Sequence, residues 1–385
     1  MAPQVTPLYE RHRALGARFI EFHGWLMPVQ YRGIVSEHIA VRTRAGLFDL
    51  GHMGQIVVRG ADAVPFLQYL TPNDVARLRP GTAQYSMFLY PSGGVVDDII
   101  VYYLAEGNEY FVVVNAANRT KDLEWLREHR ARHQAWNVEI EDVSDRTGML
   151  ALQGPLAESI LQRLTTQDLA ALAPFAIARA EVAGTATLIA RTGYTGEDGF
   201  ELYCPIERTV ELWDTLLETG EAEGLVPVGL GARDTLRIEA ALPLYGNELG
   251  PDITPLEAGL EWVVRWDKGD FVGRESLARQ REEGPPRRLV GFVLTERGGI
   301  PRTGYPVQVE GQIIGAVTSG TSSPTLEKTI GMALIDRRFA GIGRPLAVVI
   351  RERPVAAVQV KLPFYRRARR RSVTDSASEG GNGHG

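Results

Sequence analysis

Two adjacent aspartates interrupt the otherwise apolar stretch VVDDIIVYY (95–103), and a carboxylate in such a setting can do acid–base chemistry. In a strand, alternation places Asp98 on one face with Ile100 and Asp97 on the other face with Ile99. Because both faces look half-buried, we expect at least one carboxylate to enter a partly desolvated pocket. The alternative is a strand edge that carries two solvated acids after a turn.

A second group of polar residues lies in RTGYTGEDGFELY (191–203), which holds three glycines, two tyrosines and three acids. Glu201 faces the side opposite its apolar neighbours, so it is either exposed or points into a cavity. A hairpin loop with no further role is the alternative. Arg233 and Arg237 follow at i,i+4 on one helix face, where Asp234 can pair with Arg237. Taken alone, this spacing is typical of a set of surface ion pairs.

The sequence motifs of several other kinds of enzyme are absent from this sequence. It contains no GxGxxG after a strand, no GxxxxGK[ST], no HExxH and no GxSxG. The single cysteine, Cys204, has no neighbouring histidine, and we interpret it as a packed thiol in a reducing compartment. We therefore expect no metal site.

The elements that must position these acids read as α+β. Strand-like runs at 83–90, 95–104 and 110–117 are separated by short turns and predict an antiparallel meander, and the charged segment 118–135 predicts a helix that covers it. The polar segment 278–288 is the best candidate for a linker. After it, turn residues recur about every ten positions in β-like runs, which predicts a small all-β barrel or sandwich.

Composition excludes several classes of protein. The 385 residues are 44% hydrophobic, enough for a sizeable core, and the net charge of −5 gives no general reason to bind nucleic acid or a membrane. No apolar stretch is long enough to span a membrane, and the N-terminus lacks a secretory signal. We expect a soluble cytoplasmic protein that ends in a disordered basic tail, residues 367–385.

Taken together, these segments resemble the aminomethyltransferase (T-protein) family of the glycine cleavage system. The matching stretches are FHGWLMPVQY (22–31), FLQYLTPNDV (66–75), YSMFLYPSGGVVDDIIVY (85–102), FVVVNAANRTKD (111–122), ALQGP (151–155), GYTGEDGFELY (193–203), GARDTLRIEAALPLYGNEL (231–249) and GAVTSGTSSPTL (315–326). They follow the family order over nearly all of residues 5–366.

The resemblance implies a fold and a reaction. The fold is a three-domain cloverleaf, with two intertwined α+β domains over residues 1–278, a C-terminal β-barrel over 279–366 and the substrate tetrahydrofolate in a central hole. The implied enzyme takes an aminomethyl group from the lipoyl arm of H-protein and transfers its one-carbon unit to tetrahydrofolate. Ammonia is released, and 5,10-methylenetetrahydrofolate is formed in the course of glycine catabolism.

The resemblance also assigns site residues. The catalytic acid of the family falls on Asp98. Its folate-binding residues fall on Glu201, Arg233, Tyr85, Asn115, Tyr194, Trp262 and Tyr365. A carboxylate can accept two hydrogen bonds from the pterin edge, and aromatic rings can form the walls for its bicyclic ring. Two residues depart from the family pattern near the expected rim of the pocket: His23 stands in place of alanine, and Gly51 stands where serine commonly precedes His52.

Two other functions use the same scaffold. One is a folate-dependent demethylase or oxidase fragment, but the chain lacks an N-terminal dinucleotide-binding domain and retains Asp98. The other is a non-enzymatic folate-binding protein that aids iron–sulfur assembly or tRNA modification. Relatives of that kind carry a short cysteine motif of the KGCYxGQ type, and Cys204 in GFELYCP is not part of one.

The basic tail is expected to be dispensable, because beyond Tyr365 the sequence has no apolar periodicity. A chain that ends at Arg367 should keep the turnover and the thermal midpoint of the full chain. Both are measured side by side on the two proteins. A large loss of turnover on truncation, or salt-sensitive RNA binding that only the full chain shows, would contradict this expectation.

Overall fold

A computed structural model describes residues 2–104, 107–132 and 136–367. The helices in these ranges are α1 (Tyr9–Ala14), α2 (Ile34–Thr43), α3 (Ala63–Leu70), α4 (Arg119–Arg132), α5 (Ala157–Gln162), α6 (Thr209–Thr219), α7 (Leu230–Glu239) and α8 (Arg274–Glu283). In the described ranges, no helix combines the length and the apolar character that crossing a membrane requires.

The strands form four sheets. They are β1 (Arg18–Phe22), β2 (Trp25–Gln30), β3 (Gly46–Asp49), β4 (Gly54–Arg59), β5 (Thr82–Leu89), β6 (Val95–Leu104), β7 (Glu109–Val114), β8 (Glu139–Asp142), β9 (Thr147–Gln153), β10 (Ile177–Val182), β11 (Thr185–Ala190), β12 (Gly199–Pro205), β13 (Val226–Pro227), β14 (Arg287–Leu294), β15 (Pro306–Val309), β16 (Gln312–Ser323), β17 (Lys328–Asp336), β18 (Pro345–Ile350) and β19 (Arg353–Val360). Strands β1 and β2 pair as a separate hairpin.

The predicted meander forms three consecutive strands, beginning at the edge strand β5, of a five-stranded sheet with the order β5-β6-β7-β4-β8. Both of its pairings are antiparallel, and they set Asp98 opposite Met87 and Asp97 opposite Phe88. Helix α3 covers one face and buries Phe66, while α4 buries Leu126 in the same cluster. The helix predicted over 118–135 is therefore confirmed up to Arg132, and residues 133–135 lie outside the described part of the chain.

A second sheet packs against the first, and the two share one apolar cluster. Its order is β10-β11-β12-β9-β3-β13, with β13 parallel to β3. Tyr102 and Phe111 of the first sheet share one apolar cluster with Met149 and Tyr203 of the second. On the far side, α6 buries Trp213 in a cluster that includes Cys204. The thiol is thus packed, as predicted, and lies within β12.

The C-terminal strands close into a six-stranded barrel, β14-β17-β16-β15-β18-β19, which confirms the barrel of the sequence-based expectation. The linker interpretation of residues 278–288 is wrong in structural terms, because the segment begins inside α8 and ends in β14. Its many charged residues reflect an exposed helix, in which Leu277 is the buried residue. The division of the chain into residues 1–278 and 279–366 stays a prediction.

One buried carboxylate joins the barrel to the rest of the molecule. Glu239, at the end of α7, lies 2.8 Å from the Arg42 guanidinium and 3.2 Å from the His38 ring. It also accepts hydrogen bonds from the Ser323 hydroxyl and the Thr325 backbone N–H of the barrel. Although burial opposes it, hydrogen bonding and charge from these partners lower the pKa of Glu239 to about 2. Helix α7 and the barrel are therefore joined through the carboxylate of Glu239, whose charge is balanced by Arg42 and by hydrogen bonds.

Replacing this carboxylate should destabilise the fold in a pH-dependent way. Glu239→Gln removes one of the two carboxylates that pair with the buried Arg42, the other being Glu197, and so weakens the charged hydrogen bonds at this joint, which costs about 1.5–3 kcal/mol of unfolding free energy near neutral pH. A depressed carboxyl pKa stabilises the folded state at pH values above about 4.5, and this contribution is lost as the pH falls towards 2. Urea unfolding of both proteins should therefore show the difference shrinking between these two pH values.

The matched control is Glu275→Gln, which removes an exposed ion pair of α8 with Arg279. It should change the unfolding free energy by less than about 0.5 kcal/mol at either pH. If the Glu239 variant were no less stable than this control at pH 7, the joint between helix and barrel would not depend on the charge.

Candidate functional site

A cavity of about 480 Å³ opens between the two sheets. Its walls come from strands β5, β6 and β12, from the loops 191–199 and 241–245, and from Trp262. The loops can approach closely because Gly196 adopts a φ of +82°, which favours glycine, and an added Cβ there would lie 2.8 Å from Ala240. The two polar stretches singled out in the sequence, 95–103 and 191–203, therefore meet in one space.

Asp98 lies in this cavity and receives hydrogen bonds from neutral groups. The Tyr85 hydroxyl donates to its Oδ2 at 3.0 Å, and the Asn115 amide donates to its Oδ1 at 2.9 Å. Within the described ranges, no lysine or arginine forms an ion pair with it. Burial, followed by the negative charge of Asp97, raises the pKa of Asp98 to about 7. Near neutral pH this carboxyl group can both accept and give a proton.

Asp97 faces away from the cavity, as strand alternation predicts. It is 0% exposed and accepts hydrogen bonds from the Asn115 backbone N–H, the Asn115 amide and the Asn118 amide. The amide of Asn115 thus bridges the two aspartates. Asp97 is fully buried and Asp98 is half-buried in the cavity, so the alternative of a strand edge with two exposed acids is wrong.

Glu201 points into the cavity from β12. Three neutral hydroxyls donate to its Oε2: Thr192 at 2.6 Å, Tyr203 at 3.2 Å and Tyr102 at 3.3 Å. None of these contacts engages Oε1, which leaves that oxygen able to accept from a ligand. The carboxylate is 8% exposed and held by strands of both sheets. Glu201 therefore lies in a strand and lines the cavity, and its role stays a prediction.

Arg233 supplies a positive charge at the same cavity. Its guanidinium carbon lies 4.6 Å from the centre of the Tyr194 ring, and burial lowers its pKa. In the part of the chain that the structure describes, no carboxylate forms an ion pair with it. A desolvated guanidinium without an ion-pair partner is well suited to bind carbonyl or carboxylate oxygens of a ligand.

Arg237, one turn later, is bound quite differently. It pairs with Asp234 as the spacing predicted, and also with Glu248 and the Ser319 hydroxyl. Yet the arginine is 2% exposed, so the interpretation as a surface ion-pair set is wrong. It fixes the loop that lines the cavity, since it also donates to the Leu242 carbonyl.

Aromatic rings form one wall of the cavity. Tyr85 and Trp262 stack with centroids 5.9 Å apart and planes inclined by 30°. The Tyr194 hydroxyl donates to the carbonyl of Pro243, which turns the face of its ring towards Arg233. Trp262 remains 57% exposed, so its indole forms part of the rim. A flat ring system could lie along this wall.

The structure brings seven of the eight predicted residues to the cavity. They are Asp98, Glu201, Arg233, Tyr85, Asn115, Tyr194 and Trp262. Tyr365 does not line it: its ring lies 4.0 Å from the Arg42 guanidinium, and its backbone N–H donates to the Glu239 carbonyl. The roles of all eight residues stay predictions.

Other lining residues were not among the predicted site residues. His52 is 3% exposed, and burial lowers its pKa to about 4, so its ring is neutral at pH 7. His23 and Phe175 also line the cavity, both with positive φ. The departures noted at His23 and Gly51 pointed to this side of the pocket. Arg367, assigned to the disordered tail, pairs with Asp198 at the cavity instead; residues 368–385 lie outside the described ranges.

Comparisons with known proteins agree across the chain. Residues 8–268 match the family model "GCVT N-terminal domain" and residues 287–366 match "Glycine cleavage T-protein C-terminal barrel domain". An aminomethyltransferase of Geobacillus kaustophilus is 55% identical over 366 residues, covering 94% of this chain and 99% of the relative. One from Caldanaerobacter subterraneus is 52% identical over 363 residues, or 94% and 96%. The crystal structure of the glycine cleavage system aminomethyltransferase T of Bartonella henselae superposes with a TM-score of 0.87 at 34% identity, over 94% and 98%.

The protonation of Asp98 should respond to its neutral donors. Tyr85→Phe removes a hydrogen bond that favours the charged carboxylate, so the pKa of Asp98 should rise from about 7 by roughly one unit. Infrared titration of the carboxyl C=O band, assigned by its absence in Asp98→Asn, measures this. Tyr103→Phe is the control, since that hydroxyl contacts Asn108 and not an aspartate. An unchanged midpoint in Tyr85→Phe would show that the phenol does not stabilise the carboxylate.

Proposed function

The chain belongs to the glycine cleavage T-protein family of aminomethyltransferases, and we propose that its cavity binds tetrahydrofolate and transfers the one-carbon unit beside Asp98. The observation that carries this proposal is a carboxyl group with a pKa of about 7 in a cavity with aromatic walls. The donor substrate is an aminomethyl group on the lipoyl arm of H-protein. The products are ammonia, 5,10-methylenetetrahydrofolate and the dihydrolipoyl carrier.

The reaction moves two protons for each carbon atom transferred. The carbon loses its bonds to sulfur and to the amine nitrogen, and gains bonds to N5 and N10 of the folate. The two N–H protons of the folate end on the leaving amine, as ammonia, and on the leaving sulfur, as the thiol. A group that accepts a proton at one stage and returns it at another fits this balance.

Asp98 is the residue we propose for that exchange. As the carboxylate it can stabilise positive charge that develops on the reacting nitrogen, and as the acid it can donate to a leaving group. Its neutral partners, Tyr85 and Asn115, orient it without fixing its charge. An arginine in their place would keep Asp98 ionised, and Asp98 could then no longer donate a proton to a leaving group.

Glu201 and Arg233 are proposed to hold the folate. The free Oε1 of Glu201 can accept from the 2-amino group or the neighbouring ring N–H of the pterin. Arg233 forms no ion pair with a carboxylate in the described structure. Its guanidinium can therefore donate hydrogen bonds to a carbonyl or carboxylate oxygen of the substrate. Tyr85, Tyr194 and Trp262 then supply the aromatic wall, and Asn115 offers its amide oxygen.

The donor must reach this cavity from outside. Trp262 at the rim is exposed, which supports entry of the thin lipoyl arm of H-protein past it while the bulk of the carrier stays on the surface. A cytoplasmic location belongs to the same proposal, because Cys204 is a free buried thiol, which suits a reducing compartment.

Substrate binding should depend on the two charged residues. Glu201→Gln and Arg233→Ala each remove a charged hydrogen-bonding group from a buried site, which typically costs about 1.5–3 kcal/mol, or roughly ten- to hundred-fold in the Kd for tetrahydrofolate. Calorimetry on folded variants measures this, with exposed Arg279→Ala as the control. Normal affinity in both site variants would remove these residues from the binding site.

Turnover should separate the two adjacent aspartates. Asp98→Asn keeps the shape and most of the folate affinity but loses the exchangeable proton, so kcat should fall by roughly 10²–10⁴. Asp97→Asn should cost much less, because Asp97 faces away from the cavity. The measurement is ammonia release from aminomethylated H-protein. If both variants lost activity equally, the assignment of Asp98 would be wrong; if neither did, the chain would bind folate without this chemistry.

A further inference from the structure

A third carboxyl group lies behind the two aspartates. Asp122, in the first turn of α4, is 0% exposed, and in the described ranges neither of its oxygens receives a hydrogen bond from an N–H or O–H donor. The neighbouring ammonium group, Lys121, donates instead to the Tyr245 hydroxyl at 2.8 Å and lies over its ring. In the described structure the carboxyl group of Asp97 is its neighbour, placed so that a hydrogen bond can form if one of the two acids carries a proton.

Two carboxyl groups can share a hydrogen bond only if one of them carries a proton. Asp97 already accepts from three N–H groups, those of Asn115 and Asn118, which favour its ionised form. Asp122 has no such donors, and an ionised carboxylate without donors in a dry interior is very costly. The proton therefore belongs on Asp122, with its O–H directed at Asp97. Burial, and then the charge of Asp97, raise the pKa of Asp122 far above its usual value, in agreement with this assignment.

We propose that Asp122 is a positioning residue of the transferase: it carries a proton, donates it in a hydrogen bond to Asp97, and so keeps a fixed negative charge behind Asp98. The inference rests on the proposed function for its meaning in catalysis, but the protonation of the three aspartates can be measured without turnover. Asn115 transmits the contact, since its amide binds both Asp97 and Asp98.

The sign of the effect follows from like charges. A fixed charge on Asp97 opposes a second charge on Asp98, and so keeps Asp98 partly protonated near neutral pH. The other titratable groups that face this cluster are Tyr85 on β5, Tyr194 and Tyr245 on the cavity loops, and Lys121 on α4. The tyrosines stay neutral because burial raises their pKa values, and Lys121 is common to every variant below.

Three variants separate a protonated Asp122 from an ionised one. Asp97→Asn removes the fixed charge, so the titration midpoint of Asp98 should fall by about one to two units. Asp122→Leu removes the O–H donor and so raises the proton affinity of Asp97, although its three N–H donors remain, and the midpoint of Asp98 should fall in the same direction but by less. Asp122→Asn replaces the O–H donor with an N–H donor, and the midpoint should stay where the unaltered chain has it.

The probe is the infrared C=O band of protonated carboxyl groups, recorded across pH on the full chain without substrate, alongside the pH dependence of kcat. Above the titration of Asp98, one protonated band should persist in the unaltered chain and be absent in Asp122→Asn. A midpoint lowered as far in Asp122→Asn as in Asp97→Asn, or no persistent band, would overturn the inference. If Asp122→Leu does not fold, the persistent C=O band and the midpoints in the unaltered chain, Asp97→Asn and Asp122→Asn still test whether Asp122 is protonated. Absence of turnover in the unaltered chain would contradict the proposed function and leave these midpoints as the independent result.

Discussion

The desolvation of Asp98 is the constraint on which the rest of the site depends. A carboxylate buried beside another acid and bonded only to neutral groups is held close to the point at which it loses its charge. That state exists only while water is excluded and no cation approaches. The two packed sheets bury most of the surroundings of Asp98. The basic residues nearby are committed elsewhere, Lys121 to Tyr245 and Arg237 to Glu248. Arg233, which forms no ion pair in the described ranges, lies against the ring of Tyr194 and not against Asp98.

The fold serves this constraint by dividing the work among its parts. The meander presents Asp98, the second sheet presents Glu201, and α7 presents Arg233. Among the described residues, those of the barrel do not line the cavity, but the barrel holds α7 through Glu239 and the cavity loop through Ser319 and Arg237. The family's three-part architecture thus places Asp98, Glu201 and Arg233, which come from separate stretches of the sequence, around one space, and neutral hydroxyls and amides bind the two carboxyl groups.

Much of this could be predicted from the sequence, where local rules decide. Strand alternation correctly separated Asp97 from Asp98, and helical spacing correctly paired Asp234 with Arg237. Burial was harder, because it depends on what packs from elsewhere in the chain: Arg237 looked like a surface residue until the barrel covered it. The linker over 278–288 failed for the opposite reason, since an exposed polar helix and a polar loop share one composition. Asp122 drew no attention because its partner, Asp97, is a second acid.

The most direct test of the central claim is a single-turnover experiment with aminomethylated, lipoylated H-protein, in which ammonia and 5,10-methylenetetrahydrofolate are measured together. If the cavity carries out the transfer beside Asp98, both products should form in equal amounts, and ammonia should appear at an appreciable rate only when tetrahydrofolate is present. Folate binding without folate-dependent ammonia release would contradict the account and would leave the chain as a folate-binding protein.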